Sequence, residues 1–308
     1  VDCNGAQFDL IYGWLFNVGG TTGVTIKNCY ATRYWRVVTN DLGDPNPLLL
    51  LPVETLTVRD NTFESNSFPI VLDNRMPGFN KPSASPNQQI INNTIINSIG
   101  SIFLQKMDNN IITDNIIDST SAPDYHGIYL IGSSNTDIER NTLSNARLDL
   151  ERWNGGLRNS TNATIVDNTI SDIFRALELD EGSDGSLIEF NSLMRVGLGI
   201  HIRSDGHLIR GNIITGNDLL DGGDSGIHFD AATTPKNSIV FINLFENISD
   251  PVFDGGFNNK WNGNITLFGE NFTFGNFYQV FHRDTHLHRG FYCTDTNFDN
   301  ICDNPFMF

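Results

Sequence analysis

Residues 187–212 read Leu187-Ile-Glu-Phe-Asn-Ser-Leu-Met-Arg-Val-Gly-Leu-Gly-Ile-His-Ile-Arg-Ser-Asp-Gly-His-Leu-Ile-Arg-Gly-Asn212. Two short apolar segments, Leu187-Ile-Glu-Phe-Asn191 and Leu208-Ile-Arg-Gly-Asn212, each end on an Asn, 21 residues apart. Between them Gly199-Ile-His-Ile-Arg203 alternates apolar and polar residues, the two-residue period of a strand. Strands this short, joined by turn residues, read as β and not α.

The same unit recurs in both directions. Upstream stand Val24-Thr-Ile-Lys-Asn28, Leu56-Thr-Val-Arg-Asp-Asn61, Gln89-Ile-Ile-Asn-Asn93, Ile111-Ile-Thr-Asp-Asn115, Asp137-Ile-Glu-Arg-Asn141 and Thr164-Ile-Val-Asp-Asn168. Downstream come Ile239-Val-Phe-Ile-Asn243 and a looser copy, Ile265-Thr-Leu-Phe-Gly-Glu-Asn271. Successive Asn residues lie 33, 32, 22, 26, 27, 23, 21, 31 and 28 residues apart. Helical repeats need near-constant lengths; a β-coil of about 22 residues tolerates loops at its corners. One coil cannot bury its inner face alone. Stacked coils would align like residues about 4.8 Å apart, giving a continuous apolar interior and a ladder of Asn amides. The expectation is an all-β solenoid, a parallel β-helix of about ten coils over residues 1–275. An aromatic and Asp-rich segment, 276–308, would cap its C-terminal end.

Composition narrows the partners. The chain has 308 residues, 39% of them hydrophobic, and a formal net charge of −17. Such a surface repels phosphate backbones and anionic lipid heads, so nucleic acid and bare membrane are excluded as partners. Cations and neutral glycans suit it better. No apolar run reaches the ~20 residues of a membrane span. The four cysteines, Cys3, Cys29, Cys293 and Cys302, fall as one pair near each end, with no CxxC motif. Two terminal disulfides formed outside the cytoplasm are the economical reading. Cys3 and Cys29 lie about one coil apart, within disulfide reach on neighbouring coils.

At the repeated Asn segments the sequence resembles the right-handed parallel β-helix repeat family, especially NosD-like and pectin-lyase-like surface proteins of archaea and bacteria. The resemblance covers nearly the whole chain. It implies fold far more sharply than function, because the family holds lyases, hydrolases, epimerases, adhesins and structural proteins. Against the family's pattern, Val1-Asp-Cys-Asn-Gly5 looks like the end of a coil without the usual cap. An uncovered edge would then be met by a preceding region or by another copy, head-to-tail, giving a fibre.

A second strand precedes most Asn segments: Pro69-Ile-Val-Leu-Asp73, Ser101-Ile-Phe-Leu-Gln105, Gly127-Ile-Tyr-Leu-Ile131, Ala176-Leu-Glu-Leu-Asp180, Gly199-Ile-His-Ile-Arg203 and Gly226-Ile-His-Phe-Asp230. Gly156-Leu-Arg-Asn-Ser160 is a weaker copy. Alternation turns two columns outward: Val71, Phe103, Tyr129, Arg158, Glu178, His201 and His228, and beside them Asp73, Gln105, Ile131, Asp180, Arg203 and Asp230. Glu178, Asp180, His201, Arg203, His228 and Asp230 would share one face, where pectin-lyase-like enzymes place catalysis. His201 or His228 could take a sugar C5 proton while Arg203 neutralises a uronate. Asp180 and Asp230 are the candidate pair for a hydrolase. Asp124-Tyr-His-Gly127 resembles part of an alginate-epimerase motif. Outward polar residues are also what water alone requires.

Three further features remain. Asp295, Asn297, Asp299, the Ile301 carbonyl and Asp303 match calcium-loop positions 1, 3, 5, 7 and 9, although Asn300 replaces the loop Gly and Phe306 stands at position 12. Sequons fall at Asn92, Asn159, Asn162, Asn247, Asn264 and Asn271, glycan acceptors in an exported chain. The functional expectation is an extracellular or cell-surface structural solenoid, self-associating or adhesive. The alternatives are a polysaccharide lyase or uronate epimerase, or a carbohydrate-binding protein using Tyr129, Phe103 and nearby aromatics as sugar platforms.

Overall fold

The computed structural model describes residues 1–10, 13–40, 53–73, 87–119, 125–151, 160–216, 225–248, 250–267 and 270–279. The chain winds as the repeats require, into a parallel β-helix with three long parallel sheets. The first sheet stacks the Asn segments, from Thr25–Lys27 to Ile239–Phe241, nine strands in chain order. The second, eleven strands from Gln7–Asp9 to Phe277–Gln279, follows each Asn turn. The third, ten strands from Trp14–Asn17 to Asp250–Asp254, completes each coil. Among the described residues no helix is long and apolar enough to cross a membrane.

Register explains the core. In the first sheet Ile26, Val58, Ile90, Ile112, Ile138, Ile165, Ile188, Ile209 and Val240 lie directly over one another. All are buried, as are the facing columns of the other two sheets, such as Phe63, Ile95, Ile117, Leu143 and Ile170. Parallel in-register stacking puts β-branched side chains on one another, which fills the interior with like-shaped groups.

The corner between the first and second sheets carries the expected ladder. Asn61, Asn93, Asn115, Asn141, Asn168, Asn191, Asn212, Asn243 and Asn276 are buried one above another. The Oδ1 of Asn168 accepts both the backbone N–H and the Nδ2 of Asn141, at 2.9 and 3.0 Å, while Asn141 Nδ2 also donates to Ile112 O at 2.8 Å. The residue before each rung from Asn61 to Asn243 bends the chain through positive φ: Asp60, Asn92, Asp114, Arg140, Asp167, Phe190, Gly211 and Ile242 all do so. The short polar residues suit that conformation; Phe190 and Ile242 adopt it at a cost the ladder offsets.

Two expectations shift by a register. Asn28 is a positive-φ residue and not a rung; Cys29 takes the ladder position, its amide bonded to Asn61 Oδ1. The looser copy ending at Asn271 is not a coil: Gly263–Leu267 and Glu270–Phe274 pair as an antiparallel hairpin, and the next rung is Asn276. Cys3 and Cys29 are joined in a disulfide between neighbouring coils. Cys293, Cys302 and the calcium-loop residues Asp295 to Asp303 lie outside the described residues, as does Asn159.

Asn141→Asp should be among the most disruptive single changes in the chain. A carboxylate there loses both Nδ2 donations and faces two oxygens, Ile112 O and Asn168 Oδ1. A loss of about 2–4 kcal/mol in chemical denaturation at neutral pH is expected, smaller at acid pH where the group is neutral.

Candidate functional face of the third sheet

Alternation in the third sheet sends one residue of each pair inward and the next outward. Phe103, Tyr129, Asp149, Glu178, His201, His228 and Phe253 form one outward column in unbroken register. Seven rungs at about 4.8 Å make a line roughly 29 Å long. The rung between Tyr129 and Glu178 is Asp149, from the strand Ala146–Glu151, and not Arg158. Residues 156–159 of the weaker copy lie outside the described residues. Glycines close the corner behind the later rungs: a Cβ on Gly199 would sit 2.5 Å from Gly226 O, and one on Gly226 2.4 Å from Pro251 O.

The column has aromatic ends and a charged middle. At one end the Phe103 and Tyr129 rings meet edge to face at 5.3 Å, and the His126 ring stacks on Tyr129 at 4.2 Å. At the other, His228 stacks on Phe253 at 4.5 Å and meets His201 edge to face at 5.3 Å. Between them the charges interlock. His126 Nδ1 bonds Asp149 Oδ2, and Arg147 Nε lies 2.8 Å from the same oxygen. Arg147 Nη2 reaches His126 Nε2 at 3.3 Å, so Nε2 is the accepting nitrogen and Nδ1 carries the proton given to Asp149.

Glu178 is the hub. Arg175 Nη1 lies 3.3 Å from its Oε1, Arg203 Nη1 3.4 Å, His201 Nδ1 3.4 Å, and Arg147 Nη1 3.8 Å from Oε2. The His201 hydrogen bond, with the Arg175 and Arg147 charges, holds its carboxyl down at about 2, against the opposing effect of burial. Arg203 also spans Asp180 at 3.4 Å and Asp230 at 3.0 Å. Asp230 is kept below the usual carboxylate range by the Ala232 amide and then by Arg203. His201 Nε2 faces Asp230 Oδ2 at 3.6 Å, so both of its ring nitrogens point at carboxylates.

The family described as periplasmic copper-binding protein (NosD) matches residues 13–282. The chain belongs to the NosD family. No curated protein matches it. Among solved structures, the A-module of the Azotobacter vinelandii mannuronan C-5 epimerase AlgE6 is similar at 12% identity and a TM-score of 0.38, covering 89% of this chain and 91% of that one. The A-module of AlgE4 from the same organism is similar at 16% identity and a TM-score of 0.33, covering 83% and 78%.

In this NosD-family chain the structure brings together all six expected face residues: Glu178, Asp180, His201, Arg203, His228 and Asp230. Sequence reading named His126 only within the segment Asp124-Tyr-His-Gly127 and missed Arg147, Asp149 and Arg175. Arg147-Leu-Asp-Leu-Glu151 carries the same alternation as the recognised strands, with a large charged Arg at the position where they carry Pro, Ser, Gly or Ala. Of the sequons, Asn92 and Asn162 are exposed at turns and Asn247 is half-buried; Asn264 and Asn271 lie on the two strands of the hairpin.

A second ionisable group matters to stability. His207, sealed in the corner between the third and first sheets, accepts the Ser186 amide at Nδ1 (3.3 Å) and so turns its protonated Nε2 toward Ser204 Oγ (2.9 Å). Burial lowers it to about 4. The unfolded chain binds that proton from about pH 6.5, so stability is full above 6.5 and is lost as pH falls to about 4. Glu178 adds a lower window: its contribution is full above 4.5 and is lost toward about 2. Melting temperature against pH should therefore fall in two overlapping steps. His207→Gln should flatten the upper step. Glu178→Gln should flatten the lower one and cost about 2 kcal/mol at neutral pH, because three guanidinium groups lose their shared anion.

Proposed function

We propose that this NosD-family protein is a rigid structural and adhesive component acting outside the cytoplasm, and that it grips an extended glycan along the third sheet without transforming it. The observation that carries this reading is the seven-rung column itself: aromatic, then charged, then aromatic, in register on one face. Tyr129 and Phe253 offer flat apolar surfaces for sugar rings, and the hub between them offers fixed hydrogen-bonding groups. The location rests on the family's periplasmic description and on the Cys3–Cys29 disulfide, which suits an oxidising compartment.

The same geometry argues against a lyase centred on His201. A base must aim a lone pair at the sugar C5 proton, and a neutraliser must meet the uronate with unspent charge. His201 turns both ring nitrogens to carboxylates, and Arg203 is shared among Glu178, Asp180 and Asp230. One observation favours a second reading. His126 is oriented by the buried Asp149 beside Tyr129 and Arg147, a set able to move protons on a uronate. Product formation from uronate polymers, lost in His126→Ala, would establish that reading.

The family description also names copper. Among the described residues no three His, Cys, Asp or Glu side chains group to hold a metal ion. Cys3 and Cys29 are spent in a disulfide, and His207 is sealed from solvent. The described residues do not fit a copper site. Calcium at Asp295, Asn297, Asp299, Ile301 and Asp303, glycans on the sequons, and end-to-end association of copies stay part of the proposal. Size measurement under native conditions decides the last: a stable monomer removes the fibre.

Tyr129→Ala should weaken binding to a retained glycan about tenfold in affinity electrophoresis, with the fold unchanged and no product released. Failure of the native protein to bind any polysaccharide of a broad panel would remove the adhesive reading.

A further inference from the structure

Among the described residues, the buried side-chain atoms without a hydrogen-bond partner include an acceptor and a donor on this face, Asp149 Oδ1 and Gln105 Nε2. Asp149 is 1% and Gln105 2% exposed. Both belong to outward positions of the third sheet, Asp149 directly beside Tyr129 and Gln105 one rung on its other side. An orphan acceptor and an orphan donor thus flank Tyr129, Asp149 on the rung after it and Gln105 on the rung before it in the neighbouring column, about two rungs, or roughly 10 Å, apart along the axis. A buried polar atom left unpaired costs about 1–3 kcal/mol, so a fold keeps one where something else comes to satisfy it.

We infer that these atoms form a subsite for a neutral sugar, a stretch of about two hydroxyl-bearing rings, and not for a uronate. This deepens the proposed function and rests on it. A sugar hydroxyl can donate to Asp149 Oδ1, and another can accept from Gln105 Nε2. A uronate carboxylate would meet the Asp149 anion, which already shares its other oxygen with His126 and Arg147. Access runs through His126, whose side chain is 29% exposed and whose ring lies flat on Tyr129 while closing over Asp149. A sugar ring taking the imidazole's place keeps the stacking and brings hydroxyls to the uncovered oxygen.

Gln105→Met separates a ligand role from a structural one. It removes the orphan amide at similar volume, breaks no hydrogen bond at that nitrogen, and should hold or raise the melting temperature. The purified full chain would be titrated calorimetrically with neutral gluco-, manno-, galacto- and N-acetylglucosamine oligomers and with uronate oligomers. The expected result is binding of a neutral oligomer by the native chain, weakened about tenfold by Gln105→Met. Unchanged affinity, a lower melting temperature for the variant, or preference for uronates would each overturn the subsite while the adhesive reading stands. No binding of either class by the native chain overturns that reading as well.

Discussion

The structure depends on a shared amide oxygen. In each rung of the ladder one Oδ1 accepts two protons from the Asn of the neighbouring coil, its backbone N–H and its side-chain Nδ2. No water reaches these groups, so a coil out of register by one residue would leave several buried polar atoms unpaired. That penalty adds to the one set by burial, since a one-residue slip would also turn the inward Ile and Val residues to the outer face. The repeat lengths vary widely, yet every rung from Asn61 to Asn276 falls in line.

Fixing one corner frees the others. From Asn61 to Asn243 a single Asn separates each bend from the second-sheet strand, as in Asn93 before Thr94–Ile96 and Asn168 before Thr169–Ser171, and that corner carries no insertion until the hairpin of Gly263–Leu267 and Glu270–Phe274 enters ahead of Asn276. Among the earlier coils, length variation falls in the connections into and out of the third sheet, as between Phe68–Asp73 and Gln89–Ile91 or between Ile213–Gly216 and Ser225–Phe229. Strict geometry on one edge thus leaves the opposite sheet as the one whose surroundings the sequence can vary. That sheet is also the one whose outward column changes chemistry from rung to rung.

The fold was legible because its determinant is local and repeated: a β-branched triplet, a bend residue, an Asn. Where reading slipped, tertiary context decided. Asn28 and Cys29 are neighbours, and sequence cannot say which faces the interior when both tolerate a turn; the disulfide partner and the Asn61 oxygen select Cys29. The Asn271 segment has the right composition but pairs back on itself as a hairpin. On the face, alternation identified the column members correctly from Glu178 to His228 and failed at one rung. Gly156-Leu resembles the leading residues of the other strands, so the pattern points to Arg158 at the rung where Asp149 stands. The pairing of charges was not legible. Arg147 and Arg175 reach Glu178 across and along rungs, and such contacts depend on side-chain direction, which spacing does not reveal.

Stacking like positions at about 4.8 Å creates an electrostatic problem that shaped this face. A column of carboxylates at that spacing would repel itself, more so in a partly buried setting. The chain carries 36 Asp and Glu against 19 Lys and Arg, yet places Arg147, Arg175 and Arg203 around the single carboxylate of Glu178. The middle of the column is therefore electrically closed, each charge answered from within. A closed network orients a ligand but contributes little net attraction, since breaking its pairs costs what new contacts would return. On the proposed reading, binding energy comes from the aromatic groups Phe103, Tyr129 and Phe253 and from the two orphan atoms on either side of Tyr129. On that reading, the middle of the column would set where a chain of sugars lies, and its aromatic ends would hold it there.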